Sequence, residues 1–259
     1  MSVLIVTGND YEHRYVANAI CAAHDVSGIL VCTPSPGRRP LTILRRSPLR
    51  FIDKMARRLF LAGIGDARTR QADLRRVLGA RSGAFAHPDL VEEVGRPKDA
   101  RLLERASAIK PDVIAVYGTG IVPDTVLACA KTVALNMHTG LSPEYRGVSC
   151  TIWPLIDGRP ELIGATVHEC VAEVDGGRVF HRQQAALSKD DGLHAVFARA
   201  VIAGTQGYVD TISRALDGTL VGDLQDLSIG SEYGGHLIGI RSELAARLAL
   251  GRLSRNREG

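Results

Sequence analysis

The chain has 259 residues, a formal net charge of +4 and hydrophobic side chains at 45% of its positions. This length can bury a sizeable core, and the composition is that of an ordinary globular α/β protein, which excludes a disordered or fibrous chain. The five cysteines are scattered, odd in number and without Cys-x-x-Cys spacing, so we expect neither a disulfide framework nor a metal site. We expect a cytoplasmic protein without a signal peptide or a membrane span.

The first residues predict the opening βαβ unit of a doubly wound sheet. A buried strand within residues 2–10 ends in a turn, a helix follows over about residues 11–24, and a second strand covers residues 28–32. The turn has a single glycine, so the Gly-x-Gly-x-x-Gly fingerprint of dinucleotide binding is absent. Three polar residues at the helix start either meet an anionic substrate or form a solvated first turn: Asp10, His13 and Arg14.

Residues 38–85 interrupt this alternation of strands and helices with a strongly basic segment. From Arg38 to Arg81 the chain has twelve Arg and one Lys against three Asp. Apolar residues at helical spacing within 51–60 and 74–78 predict an inserted pair of helices. Their basic face is a solvated surface, an electrostatic collar for a phosphorylated substrate or a surface for anionic lipid. Nucleic acid is the least favoured partner, because no aromatic residues interleave with the arginines.

The sheet resumes after His87. We predict a helix that Asp99 caps and that runs to Lys110, followed by a buried strand over residues 113–117. Two glycines in the next turn, Gly118 and Gly120, form either a common tight turn or a place where the backbone approaches a ligand closely.

The next strand ends in the stretch that carries the functional prediction. Apolar residues 132–135 predict a buried strand, and Asn136 and His138 leave its end on one face because side chains alternate along a strand. A long surface loop follows, and a second strand over residues 164–168 leads to Asp175 before two glycines. An amide, an imidazole and a carboxylate brought together at strand ends can act on an acyl group. The alternative is that Asn-x-His serves only capping and turn chemistry.

Beyond Asp175 we expect a strand over residues 178–184, a long helix to about residue 215 and a terminal helix over residues 240–253. We divide the chain into a catalytic domain, residues 1–184, which contains the helical insert 38–85, and a C-terminal extension of helices and short strands, residues 185–259.

The order of these motifs resembles that of the folate-dependent formyltransferases, which move a formyl group from 10-formyltetrahydrofolate to an amine. The family pattern is Asn-x-His, Leu-x-Pro-x-x-x-Gly, Gly-x-Thr-x-His and Asp-x-Gly, and these motifs begin here at Asn136, Leu141, Gly164 and Asp175. The resemblance covers about residues 95–185 and is closest to the amino-sugar and other small-molecule N-formyltransferases. It implies the formyltransferase fold, a Rossmann-like, mostly parallel sheet, with 10-formyltetrahydrofolate as co-substrate.

The resemblance also implies roles for individual residues. Asn136 and a protonated His138 would stabilise the oxyanion, and Asp175 would be either the base that accepts a proton or an electrostatic orienter. The folate-binding residues would be Gly118, Gly120, Ile121, Val122 and Gly147. A small, anionic amine such as a nucleotide-linked amino sugar would contact Asp10, His13, Arg14, Tyr145, Arg146 and Tyr233.

Several alternatives stay open. A hydrolase of formyltetrahydrofolate would use the same three polar residues on water, and a nicotinamide-dependent reductase would share the fold, although its phosphate fingerprint is missing. A non-catalytic binding module would be expected to lack one of the three, and all are present. The C-terminal region is shorter and more helical than the barrel with which methionyl-tRNA formyltransferases hold tRNA, so we expect no nucleic acid partner. The oligomeric state stays open, a homodimer included.

Overall fold

The computed structural model describes residues 1–33 and 40–256. The strands in this part of the chain are β1 (Val3–Thr7), β2 (Val26–Cys32), β3 (Val91–Gly95), β4 (Val113–Tyr117), β5 (Val133–His138), β6 (Tyr145–Gly147), β7 (Gly164–Glu169), β8 (Val179–Gln184) and β9 (Ser231–Tyr233). The helices are α1 (Tyr11–Ala23), α2 (Pro40–Arg46), α3 (Pro48–Gly63), α4 (Asp66–Leu78), α5 (Ala100–Ile109), α6 (Asp124–Leu127), α7 (Trp153–Ile156), α8 (Leu193–Leu216) and α9 (Ile240–Asn256).

Seven strands form one sheet in the order β3-β2-β1-β4-β5-β7-β8, and β6 pairs with β9 separately. The strands from β3 to β5 in this order run parallel, whereas β7 and β8 are antiparallel to their neighbours. Every residue of β1 and β4 is buried, as expected for strands that helices cover on both faces. The predicted Rossmann-like, mostly parallel sheet is therefore confirmed.

The long helix α8 fixes the sheet just before the functional stretch. Tyr208 is fully buried, and its hydroxyl lies 3.0 Å from the carbonyl oxygen of Val116 on β4 and 2.9 Å from that of Leu135 on β5. Gly204 lets the helix approach closely, because a Cβ there would lie 2.6 Å from the Cβ of Ala165. Although α8 lies beyond the predicted domain boundary at residue 184, it packs into the same hydrophobic core as the sheet.

The basic segment contains three helices in its described part, so the predicted pair is wrong in number. Pro48 explains the extra break: it stands at the first position of α3, and a residue before proline disfavours helical backbone, so α2 ends at Arg46. The last of the three, α4, covers the sheet, since Leu74 and Leu78 are buried in its core. Arg38 and Arg39 lie outside the described residues.

Candidate active site

The polar cluster begins at the end of β5, where the alternation of the strand sorts its side chains. Leu135 and Met137 point into the core that α8 covers, so Asn136 and His138 point to the opposite face. Antiparallel pairing with β7 sets His168 opposite Asn136. As a result, Nδ2 of Asn136 lies 3.1 Å from Nε2 of His168. Two strands thus supply an amide and two imidazoles to one side of the sheet.

Asp175 reaches this cluster from the loop between β7 and β8. Its backbone is left-handed, with φ of 49°, which is an uncommon conformation outside glycine and asparagine. Gly177 follows, where a Cβ would lie 2.0 Å from the carbonyl oxygen of Glu169. The Gln225 side-chain amide donates to the carbonyl oxygens of Asp175 at 2.8 Å and Gly177 at 2.5 Å. A side chain from the region after α8 therefore holds the loop in the conformation that places Asp175.

The Asp175 carboxylate lies between the two imidazoles. Its Oδ2 accepts the backbone N–H of Gly147 at 2.7 Å and lies 3.3 Å from Nδ1 of His138, while Oδ1 lies 3.3 Å from Nε2 of His168. Burial by itself would raise the pKa of Asp175, but the charge of His138, the contact with His168 and the hydrogen bond from Gly147 lower the pKa to about 2. The carboxylate is therefore ionised at neutral pH.

His138 is buried, with 7% of its surface exposed. Its Nε2 lies 3.0 Å from the carbonyl oxygen of Tyr145, and its Nδ1 faces Asp175. Because both partners are acceptors, the ring satisfies both contacts only as an imidazolium. Burial lowers the pKa of His138, and the Asp175 carboxylate opposes this shift. Asp175 thus stabilises the charged form of the ring, and burial disfavours it.

A cavity of about 270 Å³ opens over this cluster. Asn136, His168 and Asp175 form its polar floor, and Val116, Val122 and Leu127 give it apolar walls. Of the residues predicted to bind folate, four line this cavity: Gly120, Ile121, Val122 and Gly147. His138 does not line it, since it lies behind Asp175.

A second cavity of about 500 Å³ adjoins the first and shares Thr119 and Gly120 with it. Gly118 lines this second cavity instead of the first, together with Asp10, His13 and Glu93. The two cavities lie at the carboxyl ends of β1, β2, β4 and β5, the edge at which open α/β sheets bind ligands. Burial lowers the pKa of His13, whose Nδ1 accepts the backbone N–H of Asp10 at 3.0 Å.

The remaining predicted substrate contacts line neither cavity. Arg14 donates to the carbonyl and side-chain oxygens of Asn9 at 2.6 and 2.9 Å, and Arg146 donates to the carbonyl oxygen of Leu227 at 3.3 Å. Tyr145 is buried in an aromatic stack with Tyr233 and donates its hydroxyl to Asp157 at 2.9 Å. In this structure the four side chains hold the loops that border the site, and their contact with an acceptor stays a prediction.

His168 is the site residue that sequence reasoning did not assign, although it closes the Gly-x-Thr-x-His motif. Its Nδ1 lies 2.8 Å from the carbonyl oxygen of Glu169, so Nδ1 carries a proton and Nε2 faces the site. Thr166 on the same face accepts the backbone N–H of Ser142 and donates to the carbonyl oxygen of Gly140. The alternation of residues 164–168 places both side chains on one face, but only the pairing of β5 with β7 shows what they meet.

An open α/β sheet with an amide, two imidazoles and a carboxylate at its ligand-binding edge defines a doubly wound protein with an acid–base site. Residues 70–212, more than half of the chain, match the family model described as formyl transferase, and the chain belongs to that family. The match begins within α4 and ends within α8, so it includes elements on both sides of the predicted boundary at residue 184.

Curated relatives and solved structures agree with this assignment. The chain is 30% identical over 141 residues to a methionyl-tRNA formyltransferase of Chlorobium chlorochromatii, over 54% of this chain and 45% of that protein. A second such enzyme, from Lacticaseibacillus casei, is 32% identical over 126 residues, which are 48% of this chain and 39% of the relative. The chain therefore spans less than half the length of these relatives.

Among solved structures, a sugar N-formyltransferase from Shewanella has a TM-score of 0.59 at 15% identity, over 96% of this chain and 87% of that chain. An N-formyltransferase from Helicobacter canadensis, in complex with folinic acid and dTDP-3-aminofucose, has a TM-score of 0.50 at 17% identity, over 70% and 75%. At these identities the neighbours show the fold, and they confirm the predicted formyltransferase fold.

Proposed function

We propose that the chain transfers a formyl group from 10-formyltetrahydrofolate to the primary amine of a small acceptor. The observation that supports this most directly is the Asp175 carboxylate between two histidines at the floor of a cavity that Asn136 also lines. The cavity suits a flat, partly apolar ring, because its walls are apolar and its polar groups converge at one end. Membership of the formyl transferase family supports the same activity.

In the proposed reaction the amine nitrogen attacks the formyl carbon and the bond from that carbon to the folate nitrogen breaks. The amine loses one proton and the folate nitrogen gains one, so no metal or covalent intermediate is required. Charge develops on the formyl oxygen, and a preorganised donor such as the Asn136 amide contributes about 3 kcal/mol to stabilising it.

Asp175 serves in this scheme as the orienter of two imidazoles and as a relay. A carboxylate with a pKa of about 2 holds a proton weakly, so it is a poor final acceptor for the proton of the amine. It instead passes the proton toward His168, whose Nε2 lies 3.3 Å from Oδ1 of Asp175. This argument favours the orienting role over the role of a simple base.

The acceptor we favour is a nucleotide-linked amino sugar. The Helicobacter canadensis neighbour was solved with folinic acid and dTDP-3-aminofucose, which is such a compound. In this chain the second cavity lies beside the first and shares Thr119 and Gly120 with it, so the two together offer room for an acceptor larger than a simple amine. Methionyl-tRNA is the second candidate acceptor, because the curated relatives at 30% and 32% identity are methionyl-tRNA formyltransferases.

The test is a formyl-transfer assay with 10-formyltetrahydrofolate and each acceptor in turn. We expect a formylated product and free tetrahydrofolate with a nucleotide-linked amino sugar, and both products to form at least about a hundredfold more slowly with the Asp175→Asn variant. Formylation of methionyl-tRNA alone would move the assignment to the second candidate. Release of formate without any acceptor would show a hydrolase and overturn the proposal.

A further inference from the structure

Helix α3 turns its apolar face away from the protein. Three large side chains on it are mostly exposed: Leu49 at 79%, Ile52 at 59% and Leu59 at 67%. With Ala56 they repeat at intervals of three and four residues, so they form one stripe along the helix. No residue of α3 is buried, although the helix has sixteen residues.

The polar face of α3 makes hydrogen bonds and an ion pair with the rest of the chain, and Phe60 lies against Arg247 of α9, with the guanidinium 5.9 Å from the ring centroid. Arg57 pairs with Glu243 on α9, with Nη2 and Oε2 3.0 Å apart, and Glu243 is 7% exposed at its side chain. Lys54 donates to the carbonyl oxygen of Gly235 at 3.1 Å. A surface helix usually packs through its apolar stripe, whereas the side of α3 with Leu49, Ile52 and Leu59 stays exposed. The apolar stripe is therefore available to contact another molecule.

The arginines of α2, α3 and α4 divide into two groups. Arg57, Arg70 and Arg76 form ion pairs with carboxylates on other helices or loops. Six others are exposed, and within the described residues no carboxylate lies within ion-pair distance of them: Arg45, Arg46, Arg50, Arg58, Arg68 and Arg75. The first four of these lie at the end of α2 and on α3, the helix that carries the apolar stripe, and the last two lie on α4.

We propose that α2 and α3 form a peripheral docking surface for an anionic lipid bilayer. The apolar stripe would enter the boundary between headgroups and acyl chains, and the four arginines would meet the lipid phosphates. A helix with Leu and Ile on one side and Arg along its flank is the pattern of helices that lie in a membrane interface. Across the described ranges, no helix is long and apolar enough to span a bilayer.

Charge decides against a second copy of the chain as the occupant of this surface. A two-fold contact through α3 would place the same patch of both copies face to face, which brings two sets of unpaired arginines together. Like charges close together at an interface oppose association. An anionic surface instead attracts each arginine, and the attraction adds up over the four.

The test is sedimentation of the whole protein with vesicles, which requires no enzymatic activity and so does not depend on the proposed function. We expect binding to vesicles of phosphatidylcholine with phosphatidylglycerol, little binding to phosphatidylcholine alone, and weaker binding as salt is added. Replacing the four arginines, as Arg45→Gln, Arg46→Gln, Arg50→Gln and Arg58→Gln together, should lower the partition coefficient at least about a hundredfold. Replacing the stripe, as Leu49→Ser, Ile52→Ser and Leu59→Ser together, should abolish sedimentation with either vesicle.

Matched controls lie elsewhere on the surface. Val221 and Leu224 are 77% and 79% exposed, so Val221→Ser with Leu224→Ser removes equally exposed apolar groups. Arg68→Gln with Arg75→Gln removes two exposed charges from α4. Both controls should bind vesicles as the native protein does. Absence of binding to the anionic vesicles, or equal loss in the controls, would overturn the proposal. A dimer that only the stripe variant dissociates, without vesicle binding, would assign the stripe to a second copy instead.

Discussion

Asn136 and His168 face each other across the antiparallel pair β5–β7, with Nδ2 and Nε2 3.1 Å apart. Because Nδ1 of His168 donates to a backbone carbonyl, Nε2 of the neutral ring is an acceptor and fixes the Asn136 amide by its N–H. A proton on Nε2 would turn it into a donor toward Asp175, 3.3 Å away, and end its contact with the amide. His168 therefore holds the Asn136 amide in one orientation, and Asn136 is the group that the proposed function assigns to the oxyanion.

His168→Phe is expected to lower kcat for formyl transfer about a hundredfold while the protein stays folded, because it releases both Asn136 and Asp175 from position. His168→Gln keeps a polar group near both and should recover part of the rate. Steady-state kinetics and circular dichroism of both variants provide the measurement. Equal rates for the Phe and Gln variants would contradict a positioning role.

Asp175→Asn is expected to leave the fold intact and to lower the rate at least about a hundredfold, since the amide removes the charge between the two imidazoles. Asp190→Asn is the matched control, because Asp190 is an exposed carboxylate that lines neither cavity. Single-turnover rates with a saturating amine would separate chemistry from binding. A near-native rate for a folded Asp175→Asn variant would refute its assignment to the site.

Folate binding should be measurable without turnover. The non-reactive isomer 5-formyltetrahydrofolate is expected to raise the melting temperature, and a ligand at a hundred times its Kd stabilises by about 2.7 kcal/mol. Ile121 is 75% exposed at the cavity rim, so Ile121→Asp should lessen the shift without unfolding the protein. Val221→Asp is the control at an equally exposed position. A shift with a nicotinamide cofactor and none with folate would favour a reductase.

Stability should fall in mildly acidic solution. Burial lowers the pKa of His13, His138 and His181 below the ordinary value of 6.5. Below pH 6.5 the unfolded chain binds protons that the folded protein does not yet bind, so the free energy of unfolding decreases as the pH decreases. Asp175 contributes at lower pH, since the stability that its ionised form provides is lost as the pH falls from 3.8 to about 2. Urea denaturation at about pH 7.5 and about pH 5.5 provides the measurement. His138→Asn should lessen the difference in the free energy of unfolding between these two pH values, and His236→Gln is the control.

The two neighbouring arginines of α3 should behave differently. Arg57→Glu places a carboxylate beside Glu243, which is nearly buried, and is expected to destabilise by about 2 kcal/mol through loss of a charged hydrogen bond. Arg58→Glu changes the same charge on an exposed side chain and should alter stability by less than about 0.5 kcal/mol. Urea denaturation of both variants measures the free energy of unfolding. Equal losses of stability in the two variants would rule out a structural role for the ion pair of Arg57 with Glu243.

The sequence by itself determined the features that depend on local pattern. Fully apolar runs such as 113–117 predicted buried parallel strands, because a strand covered on both faces has no polar side. Alternation along β5 placed Asn136 and His138 on one face. The order of four motifs over residues 136–177 predicted the family that the comparison with known proteins then confirmed.

Only the tertiary structure decided what those residues meet. The antiparallel register sets His168 against Asn136, and no pattern within either strand specifies a partner strand or its register. Gly118 turns toward the cavity beside His13 while Gly120 borders both cavities, which depends on the path of the backbone after β4. Likewise, apolar residues at helical spacing within 51–60 predicted a helix, but only its contacts, such as the ion pair of Arg57 with Glu243, show that Ile52 and Leu59 face outward. Periodicity defines the faces of an element, whereas contacts between distant segments decide which face is covered.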